Sequence, residues 1–174
     1  MNRARLKGQV RMAHSPDLGK SDAPTPAPLP LLHLRFSADA EAVRAALQSV
    51  ATSLAEAGVD LIDQATVELV LAEVLNNVTE HAYGAAMPGG VGLILALSGP
   101  ALSCQVTDTG RRLPGGRPPP ASRRSPDPDA LPEGGFGWPL IHALTRRLGY
   151  RHQGGENVLS FEIPLTGWRD TPVG

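Results

Sequence analysis

Cysteine, aromatic residues and excess charge of either sign are all scarce in this sequence. The single cysteine, Cys104, excludes an intramolecular disulfide, and its place in an apolar run predicts a buried, inert thiol. The net charge of -1 provides no general attraction to nucleic acid, and the 4% aromatic content offers few platforms for stacking bases. We therefore expect no direct binding to nucleic acid.

Long hydrophobic runs are also missing. No apolar stretch approaches the roughly 20 residues that cross a bilayer, and the basic N-terminus is not followed by an apolar core. These features predict a cytoplasmic protein without membrane attachment. The 174 residues, of which 41% are hydrophobic, are enough for about one domain with one core.

Composition divides the chain into three parts. Residues 1–30 combine five prolines with basic residues and almost no apolar periodicity, which is typical of a disordered arm. Residues 31–166 contain the periodic apolar segments and form the predicted domain. Residues 167–174 are left as a C-terminal tail.

Apolar periodicity predicts an α+β domain. The expected order is strand, helix, helix, strand, strand, loop, helix, strand, strand, and Ser37 is a plausible N-cap of the first helix. Helices on one face of a mixed, mainly antiparallel sheet would give a two-layer sandwich. The strands and the first two helices are predicted at residues 31–36, about 38–57, about 60–85, 91–98, 101–108, 149–153 and 157–164.

The most informative segment is Leu71 to Gly84, LAEVLNNVTEHAYG, within the second predicted helix. Glu73, Asn77 and His81 follow one another at intervals of four residues, which places them on one helix face. Glu73 can act as a general base, and the side-chain oxygen of Asn77 suits a hard cation such as Mg²⁺. The plain alternative is a solvated helix surface.

Two later segments contain further candidate ligand-binding residues. The strand-like run SCQVTDTG ends at Asp108, whose carboxylate can accept a hydrogen bond from an exocyclic amine, and at Gly110, which lets backbone approach a flat base. Taken alone, such a sequence is more often a simple turn. In EGGFGWPLIHAL, Gly135 and Gly137 precede a helical run and can expose N–H groups to phosphates, although a flexible loop would have the same composition.

In this order, the three segments resemble the N, G1 and G2 boxes of the GHKL ATPase superfamily, and most closely those of bacterial anti-sigma-factor serine kinases. Glu73, Asn77, His81 and Tyr83 match the first box of that family. The resemblance implies a histidine-kinase-like ATPase fold of the Bergerat type that binds ATP and Mg²⁺.

The resemblance also implies roles for individual residues. Glu73 would be the catalytic base and Asn77 the Mg²⁺ ligand, while Asp108 would read adenine beside Gly110. The remaining nucleotide-binding residues would be His81, Gly135 and Gly137.

The same resemblance implies two protein partners and a dimer. The chain would sequester a sigma factor and phosphorylate an anti-sigma-factor antagonist on serine or threonine, and it would form a homodimer. The loop at residues 109–135, with seven prolines and five arginines, would be an ATP lid, although a solvated insertion without a role has the same composition.

Three alternatives remain open from the residues. Arg112 stands where the family often has a second glycine of the G1 box, which motivates a catalytically weak or inactive binding module of the same fold. The catalytic piece of a sensor histidine kinase would need a phosphoacceptor hairpin and would not explain His81 and Tyr83. An unrelated small enzyme would need three coincident motifs in the right order.

Overall fold

The computed structural model describes residues 28–83, 89–121 and 137–167. Within them, five strands and three α-helices follow the predicted order. Their bounds are β1 Leu29–Ser37, α1 Ala40–Glu56, α2 Leu61–Asn77, β2 Gly90–Leu97, β3 Ala101–Asp108, α3 Gly137–Leu144, β4 Arg146–Gln153 and β5 Glu156–Pro164.

The five strands form one sheet in the order β1-β2-β3-β5-β4, and every pairing within the described residues is antiparallel. Two tight turns account for the β2–β3 and β4–β5 pairings. Gly99 and Pro100 join β2 to β3, and Gly154 and Gly155 join β4 to β5 with φ angles of 61° and 87°, which favour glycine.

Side chains alternate across the sheet, so one face is buried under the helices. Along β3, Leu102, Cys104 and Val106 are at most 1% exposed, whereas the residues between them are partly exposed. From the helix layer, α2 contributes Leu71 and Leu75 to the same core. The predicted two-layer α+β fold and the buried Cys104 are therefore confirmed, and burial raises the pKa of the Cys104 thiol far above its usual value.

The first helix is capped by a residue other than the predicted one. Asp39 is the N-cap of α1, and its carboxylate accepts a hydrogen bond of 2.9 Å from the Ala42 amide. Ser37 is not the cap because it is still paired with Gly90 as the last residue of β1, and its hydroxyl instead donates to Asp39.

The second helix changes its hydrogen-bonding pattern near its end. The α-helix ends at Asn77, and Val78–Tyr83 continues as a π-helical segment, a form of helix in which hydrogen bonds join residues five apart instead of four. The prediction of one continuous α-helix to about residue 85 is wrong from Val78 onward, and residues 84–88 lie outside the described residues. Propensity alone does not reveal this change, because it depends on the contacts that the segment makes.

Two smaller expectations also need correction. The spacing of Leu69 from Val70 and Val74 predicts that it lies on the core face of α2, but Leu69 is 45% exposed, whereas Val70 and Val74 are buried. In addition, β4 begins at Arg146, directly after α3, with an irregular register between Arg146 and Gly149.

The domain boundaries can be compared with the structure only in part. Strand β1 begins at Leu29, inside the predicted arm, because Leu29 and Pro30 pair with β2. The rest of the arm and residues 168–174 of the predicted tail lie outside the described residues. In the part of the chain that the structure describes, no helix is both long and apolar enough to cross a membrane.

Asp63 on α2 fastens the end of the domain to the helix layer. Its carboxylate is 3% exposed and accepts hydrogen bonds from the Thr166 amide and hydroxyl, both at 3.0 Å, and from the Gly167 amide at 2.9 Å. Burial alone would raise the pKa of Asp63, but the hydrogen bonds from Thr166 and Gly167 outweigh it and hold the pKa below its usual value of 3.8.

We predict that Asp63→Asn lowers the free energy of unfolding at neutral pH by about 1–3 kcal/mol, because the two backbone amides lose a charged acceptor. A group with a lowered folded-state pKa stabilises the fold well above its unfolded value and loses this effect as the pH falls through the folded value. The difference between variant and natural protein should therefore shrink as the pH falls below 3.8. Urea unfolding at several pH values measures it, with the exposed Glu68→Gln as the control. An equal difference at every pH would contradict the prediction.

Candidate functional site

Glu73 and Asn77 lie one turn apart near the end of α2, and both are half-buried. The Asn77 side chain donates a hydrogen bond of 2.7 Å from Nδ2 to the backbone oxygen of Glu73. Since this partner is a carbonyl, it fixes which end of the amide is the nitrogen. Asn77 Oδ1 then remains as an acceptor with no hydrogen-bond partner within the described residues, as a ligand for a hard cation requires.

Gly137 brings the start of α3 against these two side chains. A Cβ atom placed on Gly137 would lie 2.6 Å from Glu73 Oε2 and 3.4 Å from Asn77 Nδ2, so only glycine allows this approach without displacement. The first amides of a helix have no partner inside the helix and favour anions. The structure therefore unites one residue of the third predicted motif with two residues of the first.

Asp108 ends β3 as a buried carboxylate, 9% exposed. Its Oδ1 accepts hydrogen bonds from the Gly110 amide at 2.9 Å and from Asn157 Nδ2 at 2.7 Å. No hydrogen bond to its Oδ2 occurs among the described residues. One oxygen is thus fixed by the protein, and the other can accept a hydrogen bond from a ligand.

Gly110 packs closely against the π-helical segment. The backbone oxygen of Ala82 would lie 2.6 Å from a Cβ on Gly110, and the same oxygen accepts a hydrogen bond of 2.8 Å from the Arg111 amide. The sequence suggested this glycine for its approach to a base. The structure adds that Gly110 also allows the chain after β3 to dock on the end of the second helix.

The Tyr83 hydroxyl connects three elements through hydrogen bonds. Its hydroxyl accepts a hydrogen bond from the Thr109 amide and donates one to the Gly90 oxygen, both at 2.8 Å. It thereby joins the last turn of the helix to the beginning of β2 and the end of β3.

His81 lies in the π-helical segment, beyond the end of the α-helix that carries Asn77, and its side chain is exposed. Glu73 and Asn77 lie one turn apart on the α-helix, as their spacing predicts. A contact between His81 and the nucleotide stays a prediction.

The loop after β3 is partly anchored. The Leu113 amide donates to the Tyr150 hydroxyl at 3.3 Å, and a short 3₁₀ turn follows at Pro114–Gly116. Further along, His142 Nε2 lies 2.7 Å from the Pro119 oxygen, so α3 holds the loop as well. Residues 122–136, which include the predicted phosphate-binding Gly135 and part of the predicted lid, lie outside the described residues.

Sequence reasoning missed Asn157, which lies opposite Asp108 in the β3–β5 pairing and is 3% exposed. Asn157 Oδ1 receives hydrogen bonds from the Tyr150 hydroxyl at 2.7 Å and His152 Nδ1 at 2.8 Å. An asparagine at an inward position of a buried strand is the signal that could have revealed it, because a buried amide needs polar partners.

The described residues contain no group of three or more His, Cys, Asp or Glu side chains that could hold a metal ion. A single asparagine oxygen suits Mg²⁺ only when phosphates and water complete the shell. The donor set thus fits Mg²⁺ that arrives with a nucleotide.

Comparison with known proteins adds a family and a fold. Residues 36–163 match the model of the histidine kinase-like ATPase domain. The structure is similar to that of the RsbU and RsbW domains of Rv1364c from Mycobacterium tuberculosis, with a TM-score of 0.52 and 22% sequence identity. The match covers 77% of this chain but only 32% of that one. No curated protein matches the chain.

We predict that Gly137→Ala weakens binding of Mg²⁺-ATP by about tenfold, equivalent to about 1.4 kcal/mol, because the added methyl group displaces Glu73 or the start of α3. Gly90→Ala is the control, since a Cβ at that position meets no atom within 4 Å. Fluorescence titration with a labelled ATP analogue measures both variants. Equal affinity in the two variants would show that the close approach does not matter for binding.

Proposed function

The chain belongs to the histidine kinase-like ATPase domain family, and from this premise we propose that it is an anti-sigma factor with ATP- and Mg²⁺-dependent serine/threonine kinase activity. One observation carries the proposal. Glu73, Asn77 and Gly137 meet at the junction of α2 and α3, where a carboxylate, an amide oxygen and a helix N-terminus adjoin each other.

The proposed mechanism assigns one task to each group. Glu73 accepts the proton of a serine or threonine hydroxyl, whose oxygen then attacks the γ-phosphorus of ATP while ADP leaves. Bound through Asn77, Mg²⁺ would neutralise phosphate charge. The proposed phosphate-binding residues are Gly137 and Gly135. Asp108 Oδ2 accepts a hydrogen bond from the exocyclic amine of adenine.

The proposed partners are a sigma factor, which the chain sequesters, and an anti-sigma-factor antagonist, which it phosphorylates. A phosphoserine carries about two negative charges, so it weakens a docked interface by repulsion and by its desolvation cost. The net charge of -1 and the absence of any long apolar run support a cytoplasmic protein that binds neither nucleic acid nor membranes. A homodimer is part of the same proposal, by analogy with the family.

A second candidate is a module that binds nucleotide or partners without transferring phosphate. Arg112 favours it, because this exposed side chain occupies the position of a glycine in the G1 box. A bulky, charged residue there can hinder the bound nucleotide or supply positive charge to it. The two candidates share nucleotide binding and differ in phosphate transfer.

We expect calorimetry to detect Mg²⁺-dependent binding of ATP to the natural protein and its loss, by at least about tenfold, in Asn77→Ala. The variant removes the only side-chain oxygen that we assign to the cation. Asn76→Ala is the matched control, because Asn76 precedes Asn77 on the same helix but is exposed. If the natural protein binds no ATP, the nucleotide site and the kinase proposal are both refuted.

We expect Glu73→Gln to reduce phosphate transfer by about 10²-fold or more while ATP affinity changes little, since removal of a general base affects the chemical step. The assay follows radiolabelled γ-phosphate from ATP onto a panel of anti-sigma-factor antagonist proteins. Glu80→Gln, an exposed carboxylate in the π-helical segment, is the control. ATP binding without transfer by the natural chain would favour the second candidate.

A further inference from the structure

We infer that Asn157 is a positioning residue that sets how Asp108 meets a purine base and connects this carboxylate to the loop after β3. The inference rests on the proposed nucleotide site and assigns a basis for its choice of base. Asn157, Tyr150 and His152 are outside the three motifs, and all three lie on the β4–β5 hairpin.

The amide of Asn157 has well-defined ends. Nδ2 lies 2.7 Å from Asp108 Oδ1, 3.1 Å from the Gly110 oxygen and 3.2 Å from the Arg111 oxygen. Carbonyl oxygens only accept hydrogen bonds, so this end must be the nitrogen. The same amide therefore holds both the carboxylate and the backbone that follows it.

The other end of the amide is equally occupied. Asn157 Oδ1 accepts from the Tyr150 hydroxyl at 2.7 Å, and it lies 2.8 Å from His152 Nδ1, which must then carry a hydrogen. Because the Tyr150 hydroxyl donates its hydrogen to Asn157, its oxygen can accept a hydrogen bond of 3.3 Å from the Leu113 amide. A chain of hydrogen bonds thus runs from Leu113 through Tyr150 and Asn157 to Asp108.

This arrangement leaves Asn157 no free group with which to read a ligand, so it acts through Asp108. Two donors hold Asp108 Oδ1, and the second carboxylate oxygen, Oδ2, is left to accept a hydrogen bond from a ligand. Such an acceptor suits the exocyclic amine of adenine and repels the carbonyl oxygen that guanine carries at the same position. The network therefore supports selection of ATP over GTP.

The test measures the affinities of the natural protein and of Asn157→Asp for ATP and for GTP. In the variant, a second carboxylate would face Asp108 at hydrogen-bond distance, and two adjacent carboxylates favour protonation of one of them. A protonated carboxyl can donate to guanine. We expect ATP affinity to fall by about tenfold and GTP affinity to change by less than about threefold, so that the ATP-to-GTP ratio falls.

Two further variants separate positioning from general destabilisation. Tyr150→Phe keeps the ring, removes one hydrogen bond to the amide and should lower the ATP-to-GTP ratio by about fivefold, since one hydrogen bond contributes about 1 kcal/mol. Asp63→Asn removes a buried carboxylate from another part of the domain and should lower stability without changing the ratio. If Asn157→Asp does not fold, the ratio measured in Tyr150→Phe decides.

The outcomes distinguish this inference from the proposed function. If the natural protein prefers ATP and the folded Asn157→Asp variant keeps the same ratio, Asn157 does not position Asp108 for base selection, and the proposed function still stands. If the natural protein binds neither nucleotide, both proposals are overturned. A lower ratio in Asn157→Asp and Tyr150→Phe, with an unchanged ratio in Asp63→Asn, supports the inference.

Discussion

Burial of the apolar side of α2 under the rest of the domain is the constraint on which the candidate site depends. Val67, Val70, Leu71, Val74 and Leu75 are at most 1% exposed, so the helix cannot rotate without exposing large apolar area to water. This fixed rotation places Glu73 and Asn77 beside α3. The close approach of Gly137 then sets the distance between the two helices. Chemical groups on a helix flank are thus positioned by packing on its other sides.

Hydrogen bonds perform the corresponding task at the edge of the site. Two segments far apart in sequence meet here. One contains Asp108 and Gly110 and the other contains Tyr150 and Asn157, and the pairing of β3 with β5 and of β4 with β5 brings them together. Burial makes each unpaired polar group costly, so these groups satisfy one another. The loop after β3 is held by the same network at Leu113 and by α3 at Pro119. The loop therefore begins from a defined position although its composition is rich in proline and arginine.

Sequence patterns predicted the element order and the cluster of Glu73 and Asn77 because each depends on local rules. Alternating apolar residues, turn glycines and a four-residue spacing all act within a few positions of the chain. The predictions were less accurate where elements meet. Asp39, not Ser37, is the N-cap of α1, because pairing with Gly90 extends β1 to Ser37. The second α-helix ends at Asn77, and a π-helical segment begins at Val78.

The sequence by itself determined the α+β architecture, the family resemblance and the chemical groups on α2, since periodicity and motif spacing are properties of neighbouring residues. Only the tertiary structure decided which groups meet. It set Gly137 against Glu73, Ala82 against Gly110 and Asn157 against Asp108, which are contacts between elements distant along the chain. Such contacts follow from the way several elements share one core and one sheet, and no local pattern specifies that arrangement.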